Sequence, residues 1–62
     1  MIERLTELLQ GMDVPPRRIE TQDWAWMGRN LGVRNSGHPD FAEARELIRK
    51  IRSHQRAHAW PR

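Results

Sequence analysis

The sequence predicts an all-α protein, a small three-helix domain that spans residues 1–62. Apolar residues recur at helical spacing in three separate segments. Strand signals are weak, since the chain has two valines and no Asn-Gly or Asp-Gly dipeptide. With 62 residues there is room for one domain only. A chain of this size buries about 60% of the surface that its unfolded form exposes, so its core is small.

The first predicted helix covers residues 2–11. Its apolar face consists of Ile2, Leu5, Leu8, Leu9 and Met12. Glu3 and Glu7 lie in the early turns, where the helix dipole favours negative charge. Gly11 and the prolines that follow end this helix, because proline lacks an N–H group and restricts the residue before it. The Pro-Pro-Arg-Arg segment at 15–18 is predicted to be a stiff linker.

The second predicted helix covers residues 21–31, with Thr21 as its N-cap. One face of it is apolar and is formed by Trp24, Met27 and Leu31. Gly28 lies beside that face, where a neighbouring helix can approach closely. Gly32 is predicted to cap the C-terminus. A polar turn at 32–38 follows.

The third predicted helix covers residues 39–57. Pro39 suits the first helical position, and Asp40 with Glu43 forms a capping-box pattern. Its apolar stripe consists of Phe41, Ala44, Leu47, Ile48 and Ile51. The last four residues, 59–62, are expected to form a flexible or capping tail.

The charge of the chain is distributed unevenly. Eleven basic and eight acidic residues give a net charge of +3. Residues 1–31 hold four basic and five acidic residues, whereas residues 32–62 hold seven and three. No acidic residue follows Glu46. This asymmetry predicts an anionic partner, with nucleic acid first and anionic lipid or an acidic protein surface as alternatives.

A row of arginines on the third helix is the candidate nucleic-acid surface. The spacing i, i+4, i+7, i+11 places Arg45, Arg49, Arg52 and Arg56 in one stripe. Each guanidinium can hold two phosphate oxygens, and Lys50 and Arg34 are expected to assist. The same spacing also fits a solvated flank whose arginine stems cover the edge of the core.

Recognition of a base sequence is not expected. The connection at 32–38 has seven residues, whereas a helix-turn-helix DNA reader has a turn of about three or four. Contacts to the phosphate backbone are therefore expected more than contacts to base edges.

Tryptophans supply a candidate surface for a protein partner. Trp26 lies on the opposite side of its helix from Trp24, beside Arg29, and Trp60 lies near the C-terminus. Exposed tryptophan and arginine are typical anchors of protein interfaces. They would also suit a homodimer, which often compensates for a small core. The alternative is that the segment 13–19 covers Trp26.

Several function classes are not expected. The chain has no cysteine, and His54 and His58 stand one turn apart without a third ligand, so neither a metal nor another cofactor is predicted. Ser36 and Ser53 have no base–acid arrangement around them, so neither an enzyme nor a small-molecule substrate is predicted. No apolar run approaches the about 20 residues that span a bilayer, and a cytoplasmic location without membrane contact is expected.

The segment 24–51, with its Arg29-Asn30-Leu31 and His38-Pro39 sequences, resembles small prokaryotic or phage-type proteins. This resemblance implies no activity, because it includes no motif of a defined family. The leading hypothesis is a non-enzymatic regulatory or accessory protein that contacts nucleic-acid phosphates. The alternative is a protein-interaction module, which would act as an adaptor, an inhibitor of a larger machine or a homodimer.

Overall fold

The computed structural model describes residues 1–58, with side chains through Ala57, and these residues form four helices. The helices are α1 (Ile2–Gln10), α2 (Pro16–Glu20), α3 (Trp24–Asn35) and α4 (Phe41–His58). The described residues contain no strand. The predicted all-α class and its three long helices are therefore confirmed. The tail at 59–62 lies outside the described residues.

The stiff linker predicted at 15–18 is helical from Pro16 onward, because these residues begin a fourth, short helix. Pro15 precedes α2 with extended backbone angles, and Pro16 is its first residue. Proline suits this position because its fixed φ angle matches the helix and the missing N–H would have no partner in the first turn. The two prolines thus start a helix here, although proline stops one in the middle.

The N-cap of α3 is Asp23, and the prediction of Thr21 was wrong. The Asp23 carboxylate accepts a hydrogen bond from the backbone N–H of Trp26 at 3.2 Å. This contact is the main reason that the pKa of Asp23 is below its ordinary value, and an ion pair with Arg18 lowers it further. The Thr21 hydroxyl instead donates to the carbonyl of Arg17 at 2.9 Å, so it belongs to the end of α2.

Helix α3 continues through Gly32 to Asn35, so the predicted cap at Gly32 and the start of the polar turn there were wrong. The buried side chain of Asn35 explains the longer helix. Its carbonyl oxygen accepts the backbone N–H of Asp13 at 2.9 Å, and its amide group donates to the carbonyl of Leu31 at 3.5 Å. This contact connects the end of α3 to the loop after α1, a long-range interaction that local sequence patterns do not report.

Helix α4 begins at Phe41, and the turn before it is organised by His38. The Nδ1 atom of His38 accepts the backbone N–H of Asp40 at 3.0 Å, and its Nε2 atom lies 3.1 Å from the carbonyl oxygen of Gly11. Nε2 therefore carries the ring proton and donates it to Gly11. The predicted capping box is replaced by these contacts, because Glu43 bonds to another helix.

The core lies where α1, α3 and α4 meet. Its most deeply buried large side chains are Leu5, Leu9 and Met27. The other buried apolar residues are Leu8, Met12, Val14, Trp24, Leu31, Ala44, Ile48 and Ile51. Most of the predicted apolar faces are thus confirmed, although Ile2 is 38% exposed. Residues 52–57 of α4 are all exposed, so the last turns of this helix extend past the core.

An ion pair fixes the start of α4 to α1. The Arg4 guanidinium donates from Nε and Nη2 to the two oxygens of Glu43, at 2.8 and 3.1 Å. These hydrogen bonds hold the pKa of Glu43 below its ordinary value and raise the pKa of Arg4. The pair joins the two helices at the surface, while the buried residues Ala44, Ile48 and Ile51 fix which face of α4 points to the core.

Candidate nucleic-acid interface

Helices α3 and α4 run antiparallel and leave a groove between them. Gly28 lies beside Ile48 and Arg52, whereas Gly32, one turn later in α3, lies beside Phe41 near the start of α4. The groove has a volume of about 480 Å³. This volume falls within the range of about 300–1,000 Å³ that is typical of ligand sites.

Five arginines line this groove, which we call the arginine groove. Four belong to α4 and one to α3: Arg45, Arg49, Arg52, Arg56 and Arg29. Its other lining residues are Met27, Gly28, Leu31, Gly32, Val33, Phe41 and Ile48. The arginine groove thus combines a basic rim with an apolar floor.

The two glycines of α3 make room for the groove. A Cβ atom at Gly28 would lie 2.9 Å from Nη1 of Arg52, and one at Gly32 would lie 3.4 Å from Cζ of Phe41. Any larger side chain at either position would enter the space that the groove occupies. Both glycines lie inside a helix, where each costs about 1 kcal/mol relative to alanine.

No acidic residue lines the arginine groove. Glu46 does not line the groove, but its carboxylate accepts hydrogen bonds from Nη2 and Nε of Arg49, at 2.6 and 3.3 Å. These hydrogen bonds lower the pKa of Glu46 and raise that of Arg49. Arg52 and Arg56 form no ion pair with a carboxylate of residues 1–57. The arginine groove therefore keeps an excess of positive charge.

The structure brings some of the predicted binding residues together and separates others. All four arginines of the α4 stripe line the arginine groove, and Arg29, which was assigned to a protein partner, joins them. Lys50 and Arg34 do not line it. Arg34 lies instead over the Trp26 ring, with its guanidinium carbon 5.8 Å from the ring centre.

Trp26 is half-buried against the core, and the guanidinium groups of Arg18 and Arg34 both lie over its ring. The guanidinium carbon of Arg18 in α2 lies 4.8 Å from the ring centre, within the distance of a cation–π contact. Arg18 is held there by the carboxylate of Asp23 at 2.6 Å. The segment 13–19 thus covers part of Trp26, as the alternative interpretation of the sequence proposed. Trp60 lies outside the described residues.

Sequence reasoning missed the floor of the groove. Gly28 and Gly32 stand four residues apart, a spacing that places both on one face of a helix. The sequence shows this spacing, but a glycine after an apolar face is also typical of a helix end, which is why the prediction ended the helix at Gly32. Phe41, predicted in the apolar stripe of the third helix, packs half-buried against the core, and its ring also lies against Gly32.

Two further features of the chain concern metal ions and membranes. Among the described residues, no three His, Asp or Glu side chains are grouped so that they could hold a metal ion. The predicted pair of His54 and His58 is not described further, because the side chain of His58 lies outside the described residues. None of the helices in residues 1–58 has the length and apolar character that crossing a bilayer requires.

Comparison of the chain with known protein families, with curated proteins and with solved structures finds no match.

Proposed function

We propose that this protein is a non-enzymatic nucleic-acid-binding protein that contacts phosphates through the arginine groove, in a regulatory or accessory role. One observation carries the proposal: five arginines from two helices line one groove that no acidic residue lines. Like charges brought together repel each other, and an anionic ligand removes this repulsion. A polyanion with regularly spaced phosphates can occupy several of these arginines at once.

Guanidinium groups suit phosphates for a geometric reason. Each planar fork donates two parallel hydrogen bonds to two oxygens, which a lysine ammonium does not do. Arg52 and Arg56 are the best candidates for the strongest contacts, because neither is paired with a carboxylate within residues 1–57. Arg49 contributes less, since Glu46 already neutralises part of its charge.

The experiment that tests this proposal measures binding to a labelled oligonucleotide by fluorescence anisotropy as a function of salt. Four phosphate contacts to a single strand give a log–log slope of about −2.8, which corresponds to about 50-fold weaker binding at 200 than at 50 mM salt. With both Arg52 and Arg56 replaced by alanine, the slope should fall to about −1.4 and the salt effect to about sevenfold.

A matched control removes the same charge elsewhere. Arg17 and Lys50 are exposed and lie outside the arginine groove, so replacing both with alanine also lowers the net charge by two. The control variant should retain the slope of the unmodified protein. Equal weakening in both double variants would show that net charge alone drives binding. Absence of binding at 50 mM salt would overturn the proposal.

One observation favours a second candidate, a protein partner that binds at Trp26. This ring is half-buried, whereas Trp24 is only 2% exposed. In a Trp60→Phe variant, emission comes from Trp24 and Trp26 alone. If acrylamide quenches about half of that emission, Trp26 is accessible to a partner. If the emission is protected, Arg18 covers the ring and this candidate loses its support.

A further inference from the structure

The arginine groove lies between two helices, and this position decides which nucleic acid its arginines can reach. A helix with its side chains is about 10–12 Å wide, and the major groove of B-DNA, at about 12 Å, receives one helix. Arg45, Arg52 and Arg56 of α4 border α3. Because α3 packs alongside α4, the two helices together are too wide for the major groove. Where α3 flanks α4, a duplex could touch only the rim of the arginine groove, whereas a flexible single strand can follow the groove.

The floor of the arginine groove suits a flat apolar group. Gly28 and Gly32 carry no side chains of their own, and the Arg52 side chain lies against Gly28 while the Phe41 ring lies against Gly32. Arginine rims such a floor on both sides, through Arg29 from α3 and Arg52 from α4. Aromatic rings and guanidinium planes are the surfaces on which proteins stack unpaired bases. A paired base in a duplex has its faces covered by its neighbours and cannot enter.

We infer that the arginine groove binds single-stranded nucleic acid, with one base inserted between the Phe41 ring and the Arg52 guanidinium and with the other arginines on the flanking phosphates. This inference rests on the proposed function and adds the substrate class to it. The phosphates supply most of the affinity, and the inserted base supplies the preference for single strands over duplexes.

The test compares three probes of equal length, about 12 nucleotides, a size within the range that one small single-strand-binding fold covers. The probes are oligothymidylate, the same strand with abasic sugars throughout, and a duplex. The unmodified protein should bind oligothymidylate at least about tenfold more tightly than the abasic strand, because stacking of one base has an effect of this order. It should also prefer oligothymidylate to the duplex at the same salt concentration.

A groove-filling variant provides an independent test. Gly32→Leu places a side chain on the floor without changing any charge, and it should weaken binding of oligothymidylate about tenfold while the salt slope is retained. Gly37→Leu is the matched control, because a side chain at Gly37 meets open space and lies outside the groove. Circular dichroism of both variants checks that they are folded. The comparison with the abasic strand uses only the unmodified protein, so it does not depend on the folding of a variant.

The outcomes separate the inference from the proposed function. Equal affinity for all three probes, with a steep salt dependence, would overturn base insertion and leave phosphate binding in place. No binding to any probe at 50 mM salt would overturn both. Preference for oligothymidylate over the abasic strand and the duplex, together with its loss in Gly32→Leu, supports the inference.

Discussion

The two sides of α4 are built in contrasting ways. Towards α1, Arg4 and Glu43 bind each other through two hydrogen bonds, above a core in which Leu5 and Leu9 are fully buried. Towards α3, glycines occupy the surface of the neighbouring helix, and Arg52 has no carboxylate partner in residues 1–57. Both sides share the buried core, but the surface above it is closed by a neutral ion pair on the α1 side and forms an open, charged groove on the α3 side.

This difference separates the residues that hold the fold from those that are available to a ligand. Leucine packing and a paired arginine both stabilise the folded chain. Glycines inside a helix and adjacent positive charges both destabilise it, and among the arginines of the groove only Arg49 has a carboxylate partner within residues 1–57. Local losses of stability of this kind are typical of functional sites. The contrast therefore points to the α3 side of α4 as the binding side.

The largest expected effect is on the α1 side. Leu9→Ala removes a side chain that is 0% exposed and should lower the free energy of unfolding by about 2–5 kcal/mol, because it loses burial and leaves a cavity. Urea unfolding followed by circular dichroism measures this loss. Ile2→Ala is the control on the same helix, and it should have a much smaller effect, since Ile2 is 38% exposed. Similar losses in both variants would contradict a core centred on Leu9.

The next effect concerns the link that holds α3 against the loop after α1. Asn35→Ala removes the acceptor of the part-buried hydrogen bond from the backbone N–H of Asp13 and should lower the free energy of unfolding by about 0.5–1.5 kcal/mol. Hydrogen exchange measures it more directly, because the amide of Asp13 should lose protection. Asn30→Ala is the control, because the Asn30 amide donates to the carbonyl of Trp26 within the same helix and does not link α3 to another part of the chain. Unchanged protection of the Asp13 amide would contradict the link.

On the open side, we expect a gain in stability together with a loss of binding. Gly28→Ala should raise the free energy of unfolding by about 1 kcal/mol, through the helix propensity of alanine. The new methyl group lies where Nη1 of Arg52 stands at 2.9 Å, and this flexible side chain moves aside. Oligonucleotide binding should weaken as a result. A variant that is both less stable and unchanged in binding would show that the glycines do not serve the groove.

The smallest effect is the pH dependence of the two sides. The pKa of Glu43 and that of Glu46 are lowered by their arginine partners. In the unfolded chain glutamate titrates near pH 4.3, so below this pH the unfolded state takes up more protons and stability falls. The stabilisation is present above the pKa of glutamate in the unfolded chain and is lost as the pH falls through its pKa in the folded chain. Thermal melts between about pH 5 and 3 measure this decrease. In Glu43→Gln the decrease should be smaller, and an identical pH profile would show that the Arg4 pair does not contribute.

The sequence alone predicted the helical class, the three long helices and the arginine stripe of α4. These features depend on the spacing of residues along one helix, which the order of residues determines. The apolar faces that became the core were predicted for the same reason. Even the separation of Trp24 from Trp26 on α3 follows from helical periodicity, and it agrees with their burial.

Only the tertiary structure decided what stands beside that stripe. Gly32 is a mid-helix residue because Asn35, three positions later, is held by Asp13 from another part of the chain. Arg29 lines the groove with the α4 arginines, whereas Arg34 lies over the Trp26 ring. Packing across the core fixes the rotation of α3 and therefore which of its arginines faces the groove. Helical periodicity places residues on faces, but which face meets which depends on contacts between residues distant in sequence. The arginine groove is made by such contacts.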